Sequence, residues 1–184
     1  MFLVGKLNRI LDQIKFNKTK KRLKHFGELN DINPNIRLLF PDRISIGSYV
    51  YIGPNADING LGEVEISNGV IIGPNLIIHS ANHKFRDSKF IPYDETFEFR
   101  KVKIEENVWI GGNVIITPGS QIGEGSIIGA GCVVSGKIPP LSIVVGNPCQ
   151  VIKSRDAEHY YRLKSEGAIY LKNKLLKNIK PKIS

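Results

Sequence analysis

Aliphatic residues recur through the middle of this chain with a period of six. The series runs Ile46, Ile52, Ile58, slips by two residues around Gly60–Glu63, and resumes at Ile66, Ile72 and Ile78. After a longer interruption it continues at Ile104, Ile110, Ile116, Ile122, Ile128 and Val134. All twelve positions are β-branched, and the residue after six of them is glycine: Gly47, Gly53, Gly73, Gly111, Gly123 and Gly129. The position four residues on is small or apolar, as at Val50, Ala56, Val70, Val108, Val114, Ser120, Ser126 and Cys132. A helix of 3.6 residues per turn would scatter such a series around its circumference. A short strand followed by a glycine-assisted bend keeps it on one side. Three such units close one triangular coil of about eighteen residues, and stacked coils share a continuous isoleucine core. The pattern predicts an all-β solenoid, not a sandwich of independent strands.

The interruptions and the flanks carry different signals. Residues 84–101 form a loop of nearly twenty residues leaving an otherwise strict repeat, and loops of that length in compact domains are usually functional or disordered. This one contains Phe85, Phe90, Pro92, Tyr93, Phe97 and Phe99, a composition that predicts packing against something, and it starts directly after His83. Upstream, Leu3, Leu7, Ile10, Leu11 and Ile14 fall on one helical face and are followed by a basic run from Lys15 to Lys24. Downstream of Pro148, apolar residues at Tyr160, Leu163, Ile169, Leu171, Leu175 and Ile179 predict a helix, or two helices broken at Gly167-Ala168, lying on the solenoid. The expected organisation is a basic amphipathic helical segment over 1–30, a solenoid domain over 31–153 with the inserted loop 84–101, and a helical extension over 154–184.

Composition narrows the class. A chain of 184 residues with 41% apolar and 23% charged residues fits one folded domain with short appendages. The net charge of +9 is unevenly divided: residues 1–24 carry +7, residues 153–184 carry +6, and residues 25–152 carry −4. A nucleic-acid-binding body would be basic with interleaved aromatics, so no nucleic-acid partner is expected. The basic flanks suit anionic lipid, a polyanionic glycan, a neighbouring subunit or plain solvation. No apolar run approaches the roughly 18–20 residues of a membrane span, and the apolar N-terminal stretch is too short for a signal peptide. The expectation is a cytoplasmic protein. Cys132 and Cys149 alone make neither a disulfide framework nor a zinc knuckle.

Four histidines are candidates for chemistry. His25 and His159 sit in the basic flanks and read as surface residues. His79 and His83, in IIHSANHKF, stand at the root of the long loop. A catalytic zinc needs about three protein ligands, and no third histidine is near, so no metal is expected. His79 reads as an outward or turn-capping residue. For His83 two readings stand side by side: a packed histidine, or a general base, since imidazole near pH 7 can accept a proton from a hydroxyl.

The segments SANHKF at 80–85, VWIGGNVIITPGSQIG at 108–123, SIIGAGCVVSGKIPP at 126–140 and VVGNPCQVIK at 144–153 resemble the hexapeptide-repeat acyltransferases, whose fold is a left-handed parallel β-helix. The similarity spans about residues 44–153. It is greatest to the galactoside and maltose O-acetyltransferases and to the O-acetyltransferases of capsule and lipopolysaccharide synthesis. The resemblance implies acetyl-CoA as acyl donor, a sugar or glycan acceptor, and direct attack of the acceptor hydroxyl on the thioester with His83 as general base. It implies that Gly112, Ala130 and Lys153 contact the coenzyme, Gly112 through a backbone N–H at the developing oxyanion. It places Trp109 and Asn82 in the acceptor pocket, with Asn55 two residues beyond the position, Gly53, that matches the family's substrate-binding asparagine. Gln150 and Gly136 stand where the sugar acetyltransferases carry arginine and lysine. Asp87, Asp94, Glu95 and Glu98 are all open as the carboxylate that orients His83. The family's assembly implies a homotrimer with sites between neighbouring solenoids, and the basic termini add a peripheral contact with anionic membrane as an expectation. An N-acetyltransferase acting on an amino sugar and a non-enzymatic scaffold are the alternatives.

Overall fold

In the computed structural model the six-residue repeat closes into a parallel β-solenoid with one helix before it and two after it. The structure describes residues 2–180, with side chains from Gly5 onward. The Leu3 side chain of the N-terminal apolar stripe, and residues 181–184 of the C-terminal extension, lie outside the described residues.

Three sheets make three faces. The first stacks His25–Phe26, Ile44–Ile46, Val64–Ile66, Val102–Ile104, Gln121–Ile122 and Lys137–Ile138. The second stacks Asp31–Ile32, Tyr51–Ile52, Ile71–Ile72, Trp109–Ile110, Ile127–Ile128 and Ser142–Val145. The third stacks Arg37–Leu39, Asp57–Asn59, Ile77–His79, Ile115–Ile116 and Val133–Val134. Strand Gln150–Ser154 folds back antiparallel on Ser142–Val145 and closes the second face. All twelve repeat positions face inward and are at most 1% exposed. They join Val50, Ala56, Val70, Val108, Val114 and Cys132 in one unbroken core. Ser120 and Ser126 also point inward, and each hydroxyl donates to a backbone carbonyl, of Thr117 at 2.7 Å and Pro139 at 2.9 Å, so neither buries an unpaired group.

The register locates every irregularity. Ser45 pairs with Glu65, Glu65 with Lys103, Lys103 with Gln121 and Gln121 with Lys137, so successive coils advance by 20, 38, 18 and 16 residues. Within each coil the steps from first face to second and from second to third hold at six residues, as from Ile104 to Ile110 to Ile116. All the variation falls at the corner where the third face passes to the first. The two-residue slip near Gly60 and the loop at 84–101 are therefore insertions of different size at one place on the molecule.

The first coil begins at His25–Phe26, which pairs with Ser45–Ile46 and lies inside the segment expected to be helical. Its inward residues Phe26, Ile32 and Leu38 keep the spacing of six without the isoleucine identity, and as the end of the stack they are only partly buried. Helix α1 (Phe2–Lys20) precedes it. Phe16 is buried, and Lys20 lies over the Phe26 ring at 4.4 Å.

After the solenoid, α2 (Ala157–Ser165) and α3 (Tyr170–Lys177) are separated at Gly167, whose φ of +64° suits a residue without Cβ. Asp156 caps α2 by accepting from the His159 N–H at 3.0 Å. Buried Tyr160 fastens α2 to the corner between first and second faces. Its hydroxyl donates to Glu124 at 2.9 Å and accepts from the Asn107 amide at 3.1 Å, while Lys164 bonds Glu124 and pairs with Glu106 at 3.0 Å. Burial, with the Glu124 carboxylate beside it, raises the Tyr160 hydroxyl from 10 to about 12. The Lys164 ammonium is also raised, first by its bond to Glu124. Both groups hold their protons more tightly folded than unfolded, so their contribution is complete below about pH 10 and falls as pH rises toward 12. The C-terminal helices should come off the solenoid across that interval, and Tyr160→Phe should flatten the transition; near-UV circular dichroism against pH reads both.

Candidate functional site

The root of the inserted loop is built on the third-to-first corner. Ser80 is fully buried, donates to the Asn59 carbonyl at 2.7 Å and accepts from the Gly62 N–H at 2.8 Å. Its own carbonyl accepts from Arg100 N–H at 2.8 Å, so the loop leaves and re-enters over the same point. A Cβ at position 62 would sit 1.9 Å from that carbonyl oxygen. Backbone overlap of this kind has no rotamer to relieve it. Gly62→Ala should therefore destabilise the protein by about 1–3 kcal/mol and displace the loop root, lowering activity together with the unfolding midpoint.

From this root Ala81–His83 pairs antiparallel with Phe97–Phe99, with His83 opposite Phe97. The imidazole stacks on Tyr93 at a centroid distance of 3.8 Å and an interplanar angle of 18°, and Phe97 closes its other side at 4.3 Å. Nδ1 is buried with no hydrogen-bond partner. Two aromatic rings thus hold the ring in place. None of the four candidate carboxylates bonds to it among the described residues. Asp94 instead organises the loop, accepting from Thr96 N–H at 2.8 Å and Lys89 N–H at 3.3 Å, and the bond from Thr96 holds its carboxyl below the usual range. Glu98 pairs with Arg100 at 3.1 Å and Glu95 lies 3.9 Å from Lys89. Asn82, opposite Glu98 in the hairpin, is exposed, as is His79.

A second arrangement occupies the corner between second and third faces. The register stacks Pro34, Pro54 and Pro74 in one column, followed by Gly112, Ala130 and Gly146. Proline has no N–H to offer. Where the column changes to Gly112 and Ala130, both N–H groups lack a hydrogen-bond acceptor among the described residues. The backbone here is open to close approach: a Cβ on neighbouring Gly111 would fall 2.7 Å from the Ala130 nitrogen. The next column is a ladder of amides, Asn35 to Asn55 at 2.8 Å, Asn55 to Asn75 at 3.0 Å and Asn75 to Asn113 at 2.9 Å. Asn55, Asn75 and Asn113 all have φ near +60°, a region asparagine tolerates better than most residues. The Asn55 amide is engaged in that ladder, and the residue is exposed at its corner.

Trp109 stands outward on the second face between Ile71 and Ile127 and is half exposed. It borders a groove of about 620 Å³ between this face and the C-terminal helices. Lys153 lies exposed in the closing strand opposite Ile143. The structure therefore brings Gly112 and Ala130 together, with Trp109 and Lys153 on the adjoining face. It sets His83 and Asn82 on a different corner of the same solenoid. The stacking of Tyr93 on His83 escaped the sequence reading, as did the alignment of Pro34, Pro54 and Pro74 with Gly112 and Ala130, although the recurrence of proline every twenty residues was a usable signal for it. Among the described residues there is no cluster of three potential metal ligands.

Residues 101–136 match the family described as bacterial transferase hexapeptide (six repeats). Galactoside O-acetyltransferase of Escherichia coli K12 is 33% identical over 150 residues, covering 78% of this chain and 71% of that protein. Among solved structures, a hexapeptide-repeat-containing acetyltransferase of Vibrio cholerae superposes with a TM-score of 0.71 at 29% identity, over 79% of this chain and 83% of that one. A galactoside acetyltransferase in complex with coenzyme A superposes with a TM-score of 0.69 at 30% identity, over 77% and 70% of the two chains.

Proposed function

The chain belongs to the hexapeptide-repeat acetyltransferase family, and from that premise we propose that it acetylates a sugar hydroxyl with His83 as the general base. As a member it is an acetyl-CoA-dependent acetyltransferase; the acceptor and the division of labour are the proposal. The observation that carries it is His83 itself: an imidazole fixed between Tyr93 and Phe97 at the root of a loop, with Nδ1 sealed and unpartnered, so that Nε2 is the nitrogen left to meet an acceptor.

In this reading His83 takes the proton from the acceptor hydroxyl as its oxygen attacks the thioester carbon. The carbon–sulfur bond then breaks, and the proton passes from the imidazolium to the departing coenzyme thiolate. Among the described residues no serine or cysteine is paired with an activating base, so no covalent enzyme intermediate is invoked. Cys132 is buried in the core. The unbonded N–H groups of Gly112 and Ala130 suit carbonyl oxygens of an extended acyl donor, and a donor of this type at Gly112 would stabilise the developing oxyanion. Lys153 lies farther along the same side and suits a coenzyme phosphate.

Because His83 and the Gly112–Ala130 column occupy different corners, the complete site needs His83 of one copy beside the column of another. A homotrimer of parallel solenoids provides this, with the aromatic loop at 84–101 reaching the neighbour. Trp109 and Asn82 then flank the acceptor, which we place among glycans of a surface polysaccharide or its precursors. The test is product analysis after incubation with acetyl-CoA and sugars that present both hydroxyl and amino groups. An alkali-labile acetyl ester is the expected product; an alkali-stable amide would make the enzyme an N-acetyltransferase.

A further inference from the structure

The two basic flanks are remote in sequence but adjacent in place. Among the described residues, helix α1 is anchored by its C-terminal part: Phe16 is buried and Lys20 covers Phe26 of the first coil. Before that, Leu7, Ile10, Leu11 and Ile14 form a stripe at helical spacing, each between 45% and 57% exposed. The C-terminal chain runs back down the solenoid to the same end. Tyr160 is fastened at Asn107 and Glu124, Lys172 then lies over the Tyr49 ring at 5.6 Å, and Lys174 reaches Asp31 of the first coil at 3.8 Å. Beyond that point Leu175, Leu176 and Ile179 are exposed. One end of the molecule thus carries two exposed aliphatic sets. Each is interleaved with cations, including Lys6, Arg9, Lys15, Lys18, Lys21 and Arg22 on and just after α1, none of which forms an ion pair among the described residues.

We propose that this end is a docking face for an anionic lipid bilayer, independently of which acceptor the enzyme acetylates. An aliphatic stripe bordered by lysine and arginine is the arrangement of an interfacial helix, apolar side in the acyl boundary and cations among the headgroups. A polyanionic glycan would satisfy the cations but leave the Leu7–Ile14 stripe in water. A second copy docked helix to helix would cover the stripe but bring two strongly positive helices together with almost no compensating acid, since Asp12 is the one acidic residue before Glu28. A bilayer answers both halves of the surface. No helix among the described residues is long and apolar enough to cross it, so the contact is peripheral.

The test is flotation of the full chain with phosphatidylcholine vesicles, with and without a phosphatidylglycerol fraction, at low and high salt. The expected result is flotation with the anionic vesicles alone, weakened by salt. Leu7→Ser/Leu11→Ser/Ile14→Ser should lower the partition coefficient on the order of 10²-fold while leaving acetyl transfer to a soluble acceptor unchanged. Lys15→Glu/Lys18→Glu/Lys21→Glu, which keeps the stripe, should abolish flotation. Equal binding to neutral vesicles would overturn the proposal. So would absence of binding combined with a changed sedimentation state of the serine variant, since that would assign the stripe to a second copy.

Discussion

Replacing His83 with alanine should lower kcat/KM for acetyl transfer about 10²–10⁴-fold, the range a positioned general base contributes. Affinity for coenzyme A should stay within a few-fold. The reason is geometric: His83 lies on the loop corner, whereas the open N–H groups proposed to meet the acyl donor belong to the corner carrying Gly112 and Ala130. The variant also leaves the isoleucine core untouched, so its unfolding midpoint should match the parent's. Transfer kinetics, coenzyme titration and thermal unfolding on the same preparation separate these effects. A loss of transfer that tracked a loss of folding would assign His83 a packing role between Tyr93 and Phe97.

Ile110→Ala should have the largest effect on stability. Ile110 is fully buried in the fourth coil, stacked between Ile72 and Ile128 on the second face. Removing its outer carbons leaves a void that parallel strands in register above and below cannot close without shifting the whole column. A cost of about 2–5 kcal/mol follows from comparable buried truncations, which for a chain of this length lowers the unfolding temperature by roughly 5–15 °C. Ile138→Ala, in the last coil and 7% exposed, should cost less, because the solenoid end relaxes more easily. Thermal denaturation of the two variants side by side checks the ranking. An equal effect at both positions would mean that the core is not cooperative along its axis.

The solenoid was legible because one physical constraint, an inward β-branched residue every six positions, repeats with little interference. Every one of the twelve positions read from the pattern is in the core. The first coil was harder to see because Phe26, Ile32 and Leu38 keep the spacing but not the side chain. The position of His83 was legible as well, since it borders the break in the repeat. Its surroundings were not. Tyr93 reaches it through a loop with no period, and Asp94, one of four candidate carboxylates, turns out to bond loop N–H groups instead. Asn55 shows a related limit: its place in an amide ladder with Asn35, Asn75 and Asn113 follows from the register and was not visible from the residue alone. Which corner a residue occupies depends on coil lengths of 20, 38, 18 and 16 residues, and those lengths put His83 at the third-to-first corner and Gly112 at the corner between second and third faces.

The most direct test of the central claim is release of free thiol from acetyl-CoA, measured against a panel of free sugars, amino sugars and extracted polysaccharide, with His83→Ala as the blank. Release that depends on a hydroxyl-bearing sugar and disappears in the variant is the expected result. Release that is unaffected by the variant, or that occurs only with amino sugars, would contradict it.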